Sequence, residues 1–254
     1  MKRFLQLLFL VSLPLFTSAQ YHFSFSHYTS DNGLSQNTIT VMMKDNKGYL
    51  WFGTRDGLNK FDGYNFKAYN SKLNSKLSVL SNRILDVKED RWGFIWVKTY
   101  DEIVYRLNTS TEELIRIENP SGGLINDKIA QIVVLPSRVV WLTTTNMGCY
   151  KIVTNEEDYK LTVTLYNKKN RNISGNAIES VFEDREKNTW ILTQSGLCCL
   201  ETNGKPAFYF DKLAFHSFVE NEKRIMFGCD GKMIQYEKRS EEHTSELQSL
   251  RHIS

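Results

Sequence analysis

Residues 39–43 read Ile-Thr-Val-Met-Met, which puts Ile39, Val41 and Met43 on one side of an extended chain. Successive strand side chains point to opposite faces, so this alternation predicts a half-buried strand. Asp45-Asn46-Lys47-Gly48 follows, with Asp first and Gly fourth, as a hairpin turn prefers. Tyr49–Thr54 then predicts a second strand, Arg55-Asp56-Gly57 a second turn, and Leu58–Phe61 a third strand. Asp62-Gly63 is a two-residue hairpin signal, and Tyr64, Phe66 and Tyr69 mark a fourth strand. Upstream, Phe23, Phe25 and His27 share one face of Tyr21–Thr29, which predicts a further strand, and Asp31-Asn32-Gly33 predicts a turn.

The chain writes this unit again. Leu80-Ser81-Asn82-Arg83-Ile84 repeats Leu34–Ile39 in type, Asp90-Arg91-Trp92-Gly93 repeats the first turn, and Phe94–Val97 repeats the second strand. A third unit opens at Leu124, keeps only Pro136-Ser137-Arg138 of the turn, and returns with Trp141–Thr144. A fourth opens at Ile173 and carries Trp190–Thr193 and Ser195-Gly196-Leu197. A weak fifth has Met226 at the tryptophan position and no visible fourth strand. Trp51, Trp96, Trp141 and Trp190 stand 45, 45 and 49 residues apart, and Met226 comes 36 later. Four-stranded propeller blades repeat every 40–50 residues or so, and no apolar period of 3.6 competes with the alternation. The reading is all-β: a β-propeller of four-stranded antiparallel blades, incomplete, with four to five blades in the chain.

The repeated residues are Leu34, Ser35, Asn37, Ile39, Asp45, Gly48, Leu50, Trp51, Phe52, Gly53, Thr54, Gly57, Leu58, Phe61, Asp62 and Gly63. This motif resembles the two-component regulator propeller repeat, over about Tyr21 to Lys238. Departures are Lys98 for Gly53, Glu102 for Gly57, and a lost Asp turn at Ser137. The resemblance implies the extracytoplasmic sensor region of a hybrid two-component histidine kinase. It also implies an oligosaccharide ligand, a homodimer in the full-length protein, and a phosphorelay and membrane helix outside this chain. Other classes are a secreted propeller enzyme acting on glycans and a protein-interaction scaffold.

Composition adds boundaries. Lys2 and Arg3 precede an apolar run, Phe4–Phe16, and the small residues Thr17-Ser18-Ala19. Residues 1–19 therefore read as a secretory signal peptide and the rest as exported, in the periplasm. Residues 239–254 break the repeat and read as sequencing-adapter translation, so the propeller is assigned to 20–238 and the natural protein is expected to continue past Lys238. An open set of blades exposes unpaired edges, which predicts aggregation of this chain alone. A net charge of +3 with no Lys/Arg stripe gives no case for nucleic acid. Cys149, Cys198, Cys199 and Cys229 permit disulfides in an exported chain without fixing a pairing, although adjacent Cys198 and Cys199 rarely join.

Catalytic signals are weak. Asp45, Asp90 and Asp184 each begin a turn, and capping that turn accounts for them. His22 and His27 are five apart and face opposite ways on a strand, and His216 stands alone. No catalytic, cofactor or metal residue is assigned. Trp51, Trp96, Trp141 and Trp190 read as packing wedges, because they recur in every blade, with Gly53, Gly57, Gly148 and Gly196 as structural glycines. Recognition is expected in the long connections Asn70–Val79 and Asn155–Arg171, where Lys72, Lys76, Lys160, Lys168, Lys169 and Arg171 offer a basic rim for an acidic glycan.

Overall fold

The computed structural model of the chain describes residues 24–69, 83–170, 173–202, 204–238 and 251–253. The signal segment, His22 and the connection after Tyr69 lie outside them. Among the described residues, twenty strands form five antiparallel four-stranded sheets, each in chain order.

Blade one is β1 (Ile39–Lys44), β2 (Leu50–Thr54), β3 (Gly57–Phe61) and β4 (Phe66–Tyr69). Blade two is β5 (Ile84–Glu89), β6 (Ile95–Thr99), β7 (Val104–Asn108) and β8 (Glu113–Arg116). Blade three is β9 (Ile129–Val134), β10 (Val140–Thr144), β11 (Cys149–Thr154) and β12 (Leu161–Tyr166). Blade four is β13 (Ile178–Glu183), β14 (Thr189–Thr193), β15 (Gly196–Leu200) and β16 (Pro206–Asp211). Blade five is β17 (Phe215–Glu220), β18 (Arg224–Cys229), β19 (Lys232–Glu237) and β20 (Arg251–Ile253). First strands of neighbouring blades lie against one another, as β1 on β5 and β5 on β9, so they form the inner rank of the array.

Three expectations are corrected. Ser24–Thr29 form no strand; Tyr28 instead stands edge-on to Phe61 at 5.0 Å and Phe66 at 5.7 Å, on a sheet face that offers no backbone ladder. Asn155–Arg171 is not one loop, because β12 runs through it and pairs with β11 along its whole length. Blade five does have a fourth strand, β20, on the open backbone edge of β19; any extended segment can use such an edge.

Each first strand carries a register shift near its start: at Ile39/Val41, Ile84/Asp86, Ile178/Ser180 and Phe215/Ser217, and opposite Thr143/Thr144 for β9. A bulge bends a strand and increases its local twist. Its fivefold recurrence bends the inner strand of every blade at one level.

The core lies between blades. Trp51 packs with Ile84, Val87, Ile95 and Val97 of blade two, and Trp96 with Ile129, Ile132, Val140 and Leu142 of blade three. Trp141 packs with Ile178, Val181 and Ile191 of blade four, and Trp190 with Phe215, Ile225, Phe227 and Ile234 of blade five. An indole buries roughly 150–250 Å² of surface, so one tryptophan per blade supplies much of each contact. A second tie repeats along the rim: Glu89 accepts from Asn46 N–H at 2.7 Å, and Glu220 from Arg185 N–H at 2.9 Å. Blade three has Pro136 at that turn position and no N–H to donate.

Two glycines separate backbone strain from collision. Gly48 and Gly148 have φ of 91° and 103°, but a Cβ on Gly48 meets nothing within 4 Å, whereas one on Gly148 would lie 2.0 Å from the Tyr166 carbonyl oxygen. Gly48→Ala should cost about 1 kcal/mol of unfolding free energy, and Gly148→Ala more than about 3 kcal/mol, in denaturant titrations. Equal effects would contradict the close approach.

Candidate functional site

The antiparallel order gives the array two ends. Turns between first and second strands, and between third and fourth, lie at one end, called here the turn face. Second-to-third turns and the links between blades lie at the other, the entry face.

At the turn face, each complete Asp turn is also a clasp. Asp45 accepts from the N–H groups of Lys47 (3.0 Å) and Tyr49 (2.9 Å) through Oδ1, and from Trp51 Nε1 (2.8 Å) through Oδ2. Asp90 holds Trp92 N–H, Phe94 N–H and Trp96 Nε1 in the same way, the last at 2.7 Å. Asp184 holds Glu186 N–H, Asn188 N–H and Trp190 Nε1, also at 2.7 Å. All three carboxylates and their tryptophans are buried. The turn-capping role expected from sequence is half of the arrangement; the indole contact six residues on is the other half. Blade three, whose Asp turn is lost around Ser137, has Leu135 at the Asp position itself, and Trp141 Nε1 is buried without a partner.

At the entry face, the threonine after each Trp-x-x, buried in every case, ties the second turn. Thr54 donates to the Gly57 carbonyl, Thr144 to Gly148 and Thr193 to Gly196, at 2.8–2.9 Å, and Thr99 lies 3.0 Å from the Ile103 carbonyl while donating to Asp101 Oδ1 at 2.5 Å. Ser35 and Ser174 reach Thr54 and Thr193 at 2.9 and 3.2 Å, which accounts for the serine before the first strand.

The departures Lys98 and Glu102 prove to be one feature. A Cβ on Gly53 would fall 2.5 Å from Val41 Cγ1 and 2.7 Å from Ile84 Cγ2. In blade two Asp86 stands opposite Lys98 in place of valine. The buried Lys98 ammonium donates to the Ile129 carbonyl of blade three and lies 3.0 Å from Glu102 Oε2. Glu102, at φ 64°, accepts from Ile129 N–H at 3.1 Å. The pair thus grips both polar groups of one residue in the next blade. Leaving a buried ammonium alone costs about 3–5 kcal/mol. Glu102→Ala should approach that loss in a denaturant titration, and Glu102→Gly with Lys98→Gly should recover most of it; an equal loss in the double variant would contradict a coupled pair.

The remaining candidates disperse. Lys160 precedes β12 at the turn face and Lys168 and Lys169 follow it at the entry face, so the expected basic rim is not one surface; Lys72, Lys76 and Arg171 lie outside the described residues. Lys160 is paired with Asp158 at 2.7 Å. His216 meets Asp230 at 2.8 Å on the exposed start of blade five. Among the described residues, no three His, Cys, Asp or Glu side chains gather as a metal would require. The four cysteines are buried thiols. Burial pushes the Cys198 thiol up to about 12 and Cys149 and Cys199 well above the ordinary range, which suppresses the reactive thiolate. Asp127 braces a turn of the entry face, accepting from Asn146 and Met147 N–H at 2.8 Å each. Burial opposes its ionisation, but the backbone donors prevail and hold its carboxyl below the usual range. An open groove of about 450 Å³ runs between the outer strands of blades two and three, lined by Ile115–Pro120 and Leu161–Val163. Trp92, which no other blade repeats, sits on the turn face at the same inter-blade boundary.

Residues 33–56 match the family model of the two-component regulator propeller. The chain carries the two-component regulator propeller repeat. A histidine kinase of Formosa agariphila is 45% identical over 58 residues, 23% of this chain and 4% of that protein. Among solved structures, a B. thetaiotaomicron protein named as the extracellular domain of a hybrid two-component system matches with TM-score 0.51 and 19% identity, over 78% of this chain and 26% of its own. PorZ, a surface component of the type-IX secretion system of Porphyromonas gingivalis, matches with TM-score 0.54 and 12% identity, over 79% of this chain and 32% of its own. At these identities the structural likeness is one of fold. The chain spans a small part of each relative's length, and no helix among its described residues is long and apolar enough to cross a membrane.

Proposed function

We propose that this chain is the ligand-sensing propeller of a hybrid two-component sensor, exported to the periplasm, and that its ligand is an oligosaccharide. The observation that carries this reading is the repeat itself, found in sequence at residues 33–56 and in the five-blade architecture. The similarity to a histidine kinase supports it. The phosphorelay, membrane helix and transcriptional output belong to the rest of such a sensor, and the chain's part is binding rather than phosphoryl transfer. A ligand that binds one arrangement of two sensor subunits better than another shifts the population toward it, and so biases the kinase.

The side chains favour a recognition scaffold. Buried aspartates are spent on clasps, thiols are held protonated, and lysines are divided between two ends. Variable surface between constant blades is where such folds place recognition. Isothermal calorimetry of the exported region of the full-length protein, against neutral and acidic oligosaccharides, tests the proposal. Saturable binding of at least one sugar is expected; no heat from either panel would refute oligosaccharide sensing.

A further inference from the structure

Trp92 stands in the first turn of blade two, where blades one and four have Lys47 and Glu186. Trp51, Trp96, Trp141 and Trp190 are 0–1% exposed; Trp92 is partly open to solvent. Tyr159, from the outer turn of blade three, meets it edge-on at 6.0 Å and meets Phe94 at 5.4 Å. Arg138 lays its guanidinium 4.6 Å from the Trp92 ring centre and pairs with Glu156 at 3.1 Å. Beneath, Arg106 rests 4.3 Å from the Phe94 ring centre and donates through Nη2 to the Tyr159 carbonyl at 2.8 Å.

Two donors here have no acceptor. Trp92 Nε1 and Arg106 Nη1 are both buried and unpartnered, and Arg106 is only 3% exposed. Buried donors are normally satisfied, and here, unlike at Trp141 where the missing Asp accounts for the orphan, no lost partner within the repeat explains them. The two turns above them, β9–β10 and β11–β12, are each under backbone strain, since Arg138 is held at φ 68° and Tyr159 at 56°. Charge around the notch is mixed. The segments that build it carry Arg91, Arg106, Arg138 and Lys160 against Asp90, Glu113, Glu156, Glu157 and Asp158, so there is no excess of positive charge to recognise a polyanion.

Resting on the oligosaccharide-sensing reading above, we propose that this notch between blades two and three binds a neutral pyranose of the ligand. The apolar face of the sugar lies on Trp92 and Tyr159, as aromatic rings accept a C–H-rich surface. Its hydroxyls take the place of the exposed Arg138–Glu156 contact, a surface pair that is easily exchanged. Movement of the Asn155–Lys160 turn brings a sugar oxygen within reach of Arg106 Nη1.

The same feature supplies the readout. Four of this chain's five tryptophans are buried, so the difference in acrylamide quenching between wild type and Trp92→Phe, each in the exported region of the full-length protein, reports on Trp92. Cellohexaose, laminarihexaose, mannohexaose and maltohexaose form the neutral panel, oligogalacturonate and a sulfated chondroitin hexasaccharide the acidic one. At least one neutral sugar should shield Trp92 from quencher. Its calorimetric affinity should fall about tenfold or more in Trp92→Ala, and severalfold in Arg138→Ala, with unchanged thermal midpoints. Trp92→Phe, which keeps a ring and loses the donor, should bind between wild type and Trp92→Ala. Neutral-sugar binding undiminished in Trp92→Ala and Arg138→Ala would overturn the site and leave oligosaccharide sensing intact. Binding of the acidic panel alone would overturn the ligand class. Silence of both panels would overturn the sensing reading and the notch with it.

Discussion

A carboxylate in a turn and an indole six residues later hold each complete blade together. One aspartate oxygen caps two backbone N–H groups of the turn; the other takes the indole N–H. A hydrogen bond to a charged group contributes about 1.5–3 kcal/mol, and losing one partner leaves the other buried and unsatisfied. The clasp therefore fixes which way the tryptophan lies, and the tryptophan in turn packs on the next blade. Local turn chemistry and inter-blade packing are one device, which is why Asp, Gly and Trp travel together through the sequence.

The exceptions show how much of the device each blade needs. Blade three keeps the turn's shape with Leu135 at the Asp position and Arg138 in the left-handed region, at the expense of an orphaned Trp141 N–H. Blade two replaces two glycines with Lys98 and Glu102, and gains a polar grip on Ile129. These are also the blades whose boundary carries Trp92, Tyr159 and Arg138. Constant residues build the frame, and the variable ones collect where two irregular blades meet.

Much of the frame was legible in sequence. Period-two alternation and Asp-x-x-Gly turns located the four strands of blade one and the second strand of blade two; β7 and β8 carry no such turn between them. The tryptophan spacing gave the blade period because each blade spends one wedge per interface. β12 escaped notice although Leu161–Tyr166 alternates in period two, because the turns beside it, at Asn155–Lys160 and Asn167–Asn170, lack the Asp-x-x-Gly pattern that marked the others. Ser24–Thr29 misled because alternation alone does not say whether a backbone partner exists. The bulges left no signal, since a bulge is a matter of register rather than residue type. Lys98 and Glu102 were visible as departures, but their pairing depends on the next blade. The notch at Trp92 is marked in sequence only by an unrepeated tryptophan in a repeating turn, because its other members come from the next blade.

The account rests on coupling between the turn aspartate and its tryptophan. A double-mutant cycle with Asp90→Ala and Trp96→Phe, read by denaturant unfolding of the exported region of the full-length protein, measures that coupling directly. The clasp predicts an interaction energy of about 1–3 kcal/mol. Two losses that simply add, within about 0.5 kcal/mol, would show that the aspartate caps its turn and nothing more.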